Sequence, residues 1–196
     1  MKKKIIVYGA GGHAKSCIEV LESVNKYKIL GLIGKKHELN KIVQGYEVIG
    51  TDKDLLKFKK KANNFIIGIG SFKLNNLREI VFKKLKSIGF ILPKIVASTS
   101  YVSKNVQIQE GSIIFHNCFI NTGVVIGKNC IINSGTIIEH DSFISHHCNI
   151  STSVTINGNV EVGSNSLIGS GSKIIQSIKI NKNTLIPMGS IVKKNR

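Results

Sequence analysis

Every sixth residue from Val96 to Val192 is isoleucine or valine. The run passes through Ile114, Ile132, Ile150 and Ile168 without an exception among its seventeen positions. Self-similarity at a short fixed period is the mark of a repeat architecture, in which each unit buries its apolar face only against its neighbours. A second register supports this reading. From position 106 onward the side chain two residues before each aliphatic is small or β-branched, as at Ser112, Cys118, Thr136, Ser142, Cys148 and Ser166. One large and one small inward residue suit the inner corner of a triangular coil of short strands, which β-branched residues favour. The glycines and asparagines that follow the aliphatics, such as Asn121, Gly127, Asn133 and Gly163, suit the turns between strands. Three hexapeptides make an 18-residue coil, so residues 96–192 give about 5.4 coils, each rising roughly 4.8 Å. Residues 93–196 are therefore read as one parallel β-helix domain. In this register Cys118, Cys130 and Cys148 take the small inward position and are read as buried structural thiols.

Residues 1–92 have a different pattern and are read as a small Rossmann-like α/β domain. Residues 3–8 form an apolar strand, Gly9-Ala10-Gly11-Gly12-His13-Ala14 follows, and a helical pattern runs from Ala14 to about Asn25. Further strands are expected at 29–33 and 65–69, and helices at 52–61 and 74–87. In such a parallel sheet ligands bind at the carboxyl ends of the strands. Gly9, Gly11 and Ala14 fit the dinucleotide fingerprint, but that fold also needs an acid near the end of the second strand. Gly34-Lys35-Lys36 stands there instead, which disfavours NAD. The glycines can still present backbone N–H groups to a phosphate or carboxylate at a helix start, although a tight turn alone would also call for them.

The formal net charge is +17, and most of it lies in the first 90 residues. A basic chain favours anionic partners such as a nucleotide diphosphate, an acidic sugar, coenzyme A or nucleic acid. Solvated lysine faces, as at Lys57, Lys59, Lys60 and Lys61, account for the same surplus. Aromatic content is 6% with no tryptophan, and no basic–aromatic interleaving is seen, so nucleic acid is not expected as a partner. No apolar run reaches the roughly 20 residues of a membrane span. The apolar stretch behind Lys2-Lys3-Lys4 is too short for a signal peptide, so a cytoplasmic location is expected.

Of the six histidines, His140 stands apart, set between Glu139 and Asp141 with Asn133 seven residues earlier. Eighteen residues on, at the same corner of the next coil, lies Gly158, which leaves space against the imidazole. Transfer of an acyl group from a thioester to a hydroxyl or amine needs one general base, and a neighbouring carboxylate fixes the tautomer of such a histidine. Two other classes stay open on the residues alone. One is a β-helical scaffold or nucleic-acid binder, motivated by the charge. The other is a zinc-dependent hydratase with three histidines shared across a trimer, although the spacing of His116, His140 and His146 puts them on different faces. No metal is expected.

Tyr8-Gly-Ala-Gly-Gly-His13-Ala-Lys15, the uninterrupted hexapeptides and Asn133-Ser-Gly-Thr-Ile-Ile-Glu-His-Asp141 resemble the bacterial sugar acetyltransferases, among them sialic acid O-acetyltransferases and nucleotide-4-amino-sugar N-acetyltransferases. The resemblance covers nearly the whole chain. It implies a homotrimer of left-handed β-helices, acetyl-CoA bound between adjacent helices as acetyl donor, and an amino-terminal sugar-binding domain serving surface polysaccharide synthesis. It implies His140 as general base, Asp141 as the acid that raises its basicity, and Asn133 in the same site. Gly11, Gly12, His13, Lys35 and Gly70 would contact the sugar or nucleotide. Asn149, Gly158, Ser170 and Met188 would contact acetyl-CoA. The chain departs from the pattern in three places. Asn149 replaces a common histidine nine residues after the base, and Gly34-Lys35-Lys36 replaces acids after the second strand. Lys193-Lys194-Asn195-Arg196 stands where a short Gly-Val-Pro-Ala-Lys-like tail is usual, so fewer coenzyme A contacts are expected there.

Overall fold

The computed structural model describes residues 1–70 and 74–196. The chain divides into two compact units, one of residues 1–70 with 78–93 and one that includes residues 94–196.

The first unit is built on the apolar run expected as a strand. In β1 (Lys3–Tyr8), Ile5, Ile6 and Val7 are all fully buried, as they must be in a parallel strand covered on both faces. β2 (Tyr27–Ile33) and β5 (Asn64–Ile67) flank β1 in parallel. β4 (Tyr46–Gly50) runs parallel to β2, and β3 (Ile42–Val43) pairs antiparallel with β4. The sheet order is β3-β4-β2-β1-β5, so the chain leaves β1 toward one side first and returns on the other. The carboxyl end of β1 is the switch point where such sheets open a crevice. α1 (Gly12–Val24) buries Ala14, Cys17, Ile18 and Leu21, one face of a 3.6-residue period, and stops at Asn25 in the left-handed region.

Two expectations are corrected here. The segment 52–61 holds a 3-10 turn, Asp52–Asp54, and only four α-helical residues, α2 (Leu55–Phe58). The Asp54 carboxylate accepts both the backbone N–H and the hydroxyl of Thr51, which fixes the turn, and the lysines that follow offer no apolar stripe to extend the helix. The β3–β4 hairpin was not expected. Gln44 and Gly45 both take positive φ, 52° and 79°, the geometry of a two-residue hairpin turn. The helix expected at 74–87 forms as α3 (Leu77–Ser87), its first N–H accepted by the Asn75 side chain.

The second unit is a parallel β-helix. Two-residue strands stack in three sheets, with each strand paired to those eighteen residues before and after it. Sheet I runs from Ile95–Val96 to Leu185–Ile186, sheet II from Tyr101–Val102 to Ile191–Val192, and sheet III from Gln107–Ile108 to Lys179–Ile180. The repeat aliphatics fill the interior, and from Ile114 onward every one is buried. The small inward residues are buried as well from Ser112 to Ile178, and their chemistry has a purpose. Ser112, Thr136, Ser142, Ser166 and Ser172 each donate a hydroxyl hydrogen bond of 2.6–3.0 Å to the carbonyl fifteen residues on. Three of those hydroxyls also accept the N–H eighteen residues on. A hydroxyl that donates and accepts satisfies two corner groups that the strand ladder leaves over. The thiols of Cys118, Cys130 and Cys148 make the corresponding contact to Asn133, Ser145 and Gly163 carbonyls. Burial raises the Cys118 thiol above its ordinary range, and the neighbouring Cys130 thiol together with burial does so for Cys148. Neither is a ready nucleophile.

The turns differ from the sequence reading in one respect. From Gly111 to Gly189 the left-handed residue of each corner lies three positions after the aliphatic, in the series Gly111, Asn117, Gly123, Asn129, Gly135, Asp141 and onward every six residues. Glycine directly after the aliphatic answers a different need. A Cβ on Gly127 would lie 2.8 Å from the Ser145 carbonyl carbon, because the next coil passes that close.

Candidate active site

His140 and Asp141 occupy the corner between sheets II and III, just after the strand Ile137–Ile138. Their backbone is held from both sides. The Asp141 N–H donates to the Thr122 carbonyl one coil before, and the His140 carbonyl accepts from Asn159 one coil after. Asp141 takes the left-handed turn position with φ +59°, which an aspartate tolerates better than most residues. From there its Oδ2 lies 2.9 Å from His140 Nδ1. Facing a carboxylate, Nδ1 is the donor of that hydrogen bond, and in the neutral imidazole this leaves the lone pair on Nε2.

The face of the ring at Nε2 lies over Gly158. A Cβ there would lie 2.6 Å from Nε2, 2.7 Å from Cε1 and 3.1 Å from Cδ2, so only glycine leaves the imidazole in this position. Of the two acids that flank His140, only Asp141 touches it. Glu139 is held by Asn121, whose amide donates to Oε2 at 2.6 Å. The pair is open to solvent, with His140 and Asp141 side chains 58% and 66% exposed.

The other residues expected in the acyl site fall elsewhere on the coil. Asn133, Ser170 and Met188 lie on the corner between sheets I and II, and Asn149 lies in a strand of sheet I. The seven residues from Asn133 to His140 cross one whole strand of sheet II. One chain therefore does not bring these groups to one point. The Asn133 side chain caps its own turn, its Oδ1 accepting from Ser134 at 2.9 Å. Met188 is 76% exposed. His116, His140 and His146 fall on three different corners. Among the described residues no cluster of three His, Cys, Asp or Glu forms a metal site.

The first unit gathers its expected residues at the carboxyl edge of its sheet. Gly11 is the N-cap of α1 and Gly12 its first residue, and a Cβ on either would meet nothing within 4 Å. Gly9, with φ +115°, lies against the Gly68 carbonyl, so the loops after β1 and β5 close on each other. His13 packs its ring on Gly70, where a Cβ would come 3.0 Å from the ring. Burial first, and the Arg78 guanidinium second, lower the His13 imidazole to about 3, so it is neutral at physiological pH. Lys35 follows β2, and its backbone N–H donates to Glu38 Oε2 at 2.7 Å.

Two features of this edge were missed in the sequence. Arg78 is buried, and its Nη1 donates to the carbonyls of Ile67 and Ile69 at 2.6 and 3.1 Å, tying α3 to the end of β5. Asp52, just past β4, accepts from the Tyr8 hydroxyl and from Lys84 Nζ, the latter at 2.6 Å. Burial pushes the Asp52 carboxyl up, but the Lys84 and Tyr8 hydrogen bonds outweigh it and the net shift is downward. The Tyr8 phenol is raised by burial and by the same carboxylate. No motif marks this trio, because its members are far apart in sequence.

Comparison with known proteins agrees with both units. The PglD N-terminal domain matches residues 4–85, and the hexapeptide repeat of succinyl-transferase matches residues 108–144 and 159–194. Together these span well over half of the chain. Among solved structures, a histidine mutant of perosamine N-acetyltransferase from Caulobacter crescentus, in complex with CoA and GDP-perosamine, is 26% identical. It superposes with a TM-score of 0.92 over 98% of this chain and 89% of its own. The acetyltransferase domain of PglB from Neisseria gonorrhoeae, in complex with acetyl coenzyme A, shares the fold at 24% identity and a TM-score of 0.91, over 100% of this chain and 93% of its own. WeeI from Acinetobacter baumannii shares it at 19% identity and a TM-score of 0.75, over 98% and 97%. No curated protein sequence matches the chain. The chain belongs to the sugar acetyltransferases that join a PglD-type N-terminal domain to a left-handed β-helix of hexapeptide repeats.

Proposed function

We propose that this protein transfers an acetyl group from acetyl-CoA to a hydroxyl or amine of a sugar, with His140 as general base. The acceptor is a nucleotide-linked amino sugar or a sialic acid destined for a surface glycan, and the reaction takes place in the cytoplasm. The observation that carries this reading is the His140–Asp141 pair on a hexapeptide β-helix, with the imidazole ring packed over Gly158. A neutral imidazole with its Nδ1 proton held by a carboxylate has a free Nε2 lone pair, which is what a general base requires. Nε2 accepts the proton of the sugar hydroxyl or amine as the new bond to the acetyl carbon forms. The bond from that carbon to sulfur breaks, and coenzyme A leaves. Backbone N–H groups of the corner would stabilise the developing negative charge on the acetyl oxygen.

The residues expected to hold acetyl-CoA divide between two corners. This division suits a homotrimer in which neighbouring chains each give one corner to a site: His140, Asp141 and Gly158 from one, Asn133, Ser170, Met188 and the nearby Asn149 from the next. An exposed apolar ladder on sheet II supports association. Tyr101, Phe119 and Ile137 are 59%, 39% and 37% exposed, and the two aromatic rings stack at 5.2 Å. Monomers seldom leave such a contiguous apolar face in water. In the division of labour we propose, residues 93–196 carry the acetyl transfer and residues 1–92 hold the sugar or nucleotide. Within the latter, Gly11 and Gly12 offer an open helix start, His13 and Gly70 form a wall, and Lys35 supplies charge.

The test has two steps. Acetyl-CoA added to the purified protein should raise its thermal midpoint by mass action. His140→Ala should then lose most turnover on a responsive sugar while keeping that thermal shift. An active His140→Ala protein refutes the assignment of the base, and no shift at millimolar acetyl-CoA refutes the donor.

A further inference from the structure

We infer that Gly123 is a positioning residue for the His140–Asp141 pair, keeping a hollow beneath the Asp141 carboxylate; its place in catalysis rests on the function proposed above. Gly123 precedes Asp141 by eighteen residues and occupies the same turn position one coil before it. A Cβ built on Gly123 would lie 2.2 Å from Asp141 Oδ1, 3.3 Å from Cγ and 3.4 Å from the backbone N. The backbone distance is an ordinary contact, while the distance to Oδ1 is an impossible one. A methyl group is thus accommodated chiefly by turning the carboxylate, with Cγ giving way by a few tenths of an ångström. That rotation gives up the 2.9 Å contact between Oδ2 and His140 Nδ1.

The turn itself does not demand glycine. Asn117, Asn129 and Asn159 hold the same corner position with φ of 56–58°. Gly123 takes φ +73° in the same series. What distinguishes position 123 is the residue stacked above it. At the next coil that residue is Asp141, whose carboxylate reaches back over Gly123 as well as across to the imidazole. Gly158 clears the space on the opposite side, over Nε2. The two glycines belong to the coils before and after the pair, and each frees one end of it. Gly158 makes room for the imidazole ring, and Gly123 makes room for the carboxylate that fixes the tautomer.

The experiment reads the imidazole directly. The tautomer of His140 is measured by 15N NMR in the full-length protein for the wild type, Gly123→Ala, Asp141→Ala and Gly171→Ala. Gly171 has φ +70° with nothing within 4 Å of an added Cβ, so its alanine variant carries the backbone strain alone. The wild type and Gly171→Ala should show the Nδ1-protonated form, and Gly123→Ala should move to the tautomer ratio of Asp141→Ala. This readout needs no substrate, so it stands whether or not the chain acetylates a sugar. With an active acceptor in hand, kcat of Gly123→Ala should fall to within about threefold of Asp141→Ala. The double variant should be no slower than Asp141→Ala, because residues that act through one another are not additive. A wild-type tautomer ratio in Gly123→Ala overturns the inference, and so do losses that multiply in the double variant.

Discussion

Gly158→Ala is the most economical test of the site, because the structure separates its effect on chemistry from its effect on folding. Gly158 is buried in its corner and is not among the residues of positive φ, so alanine brings no backbone strain of that kind. The three atoms nearest to the new methyl all belong to the His140 ring, at 2.6, 2.7 and 3.1 Å. A methyl cannot sit this close to the ring, so it drives the imidazole from its place. The ring is more than half exposed, so it can move into solvent without leaving a hole in the core. The thermal midpoint should fall by no more than a few degrees, about 1 kcal/mol or less. The chemical step should suffer far more. A displacement of about 1 Å in a catalytic group can cost on the order of 10²-fold, and a positioned general base contributes roughly 10²–10⁴-fold. We expect a loss of at least about 10² in kcat, equivalent to roughly 2.7 kcal/mol of barrier. The assay is steady-state release of coenzyme A thiol with a responsive sugar, alongside a thermal melt. The contacts expected between acetyl-CoA and Gly158 add a rise in the KM for acetyl-CoA. A Gly158→Ala enzyme with wild-type kcat would show that the placement of the imidazole over this glycine takes no part in the reaction, and the argument from geometry would fail.

Three further predictions follow from the same contacts. His13 has a folded pKa of about 3 against about 6.5 in an unfolded chain, so below pH 6.5 the unfolded state takes up a proton that the native state refuses. Stability is complete above that pH and should drop by about 2 kcal/mol by pH 5; His13→Gln should flatten this part of the urea-midpoint profile, and an unchanged slope would contradict the burial argument. Phe119→Glu puts a charge in the exposed aromatic ladder and should convert the proposed trimer to monomer in light scattering with the circular dichroism preserved, whereas a persisting trimer would place the interface elsewhere. Ser166→Ala removes a buried hydroxyl that donates to the Asn181 carbonyl and accepts the Thr184 N–H, and should cost about 1–3 kcal/mol in denaturant unfolding. No shift in its midpoint would mean that water replaces the hydroxyl.

How much of this was legible in the sequence depends on how far apart the cooperating residues lie. The β-helix was legible because its rule is local. An aliphatic every six residues, with a small residue two before it, determines strand, corner and interior together. β1 and α1 were legible for the same reason, from the run Ile5–Val7 and the spacing of Ala14, Cys17, Ile18 and Leu21. The β3–β4 hairpin was missed because Gln44-Gly45 is a weak turn signal and the two residues of β3 are too few to show alternation. The clamp of Arg78 on the Ile67 and Ile69 carbonyls, and the Tyr8–Asp52–Lys84 trio, join residues from different elements. Nothing in their spacing announces them. The hydroxyl stitching was half legible. The small residues could be placed inside, but their bond to the carbonyl fifteen residues on required the turn geometry.

The candidate site lies between these cases, and the eighteen-residue coil explains why. A repeat gives every corner nearly the same backbone, so a site on it arises only where side chains depart from the common pattern. His140 and Asp141 are such a departure, and their adjacency makes them visible. What makes their geometry workable lies one coil to either side, at Gly123 and Gly158. Gly158 could be placed from the sequence, eighteen residues after His140 at the same corner, whereas Gly123 reads there as one turn glycine among many. In the folded coil they are the neighbours of Asp141 and His140. Their role follows from distances of 2.2 and 2.6 Å, and other glycines of the same helix, such as Gly171, face open space. A substitution scan of the corner residues should therefore divide by stacking partner and not by position in the hexapeptide. Alanine at 123 and 158 should disable the pair, and alanine at 171 should only strain its turn. Equal effects at all three would mean that the repeat alone, and not the pair it carries, requires glycine.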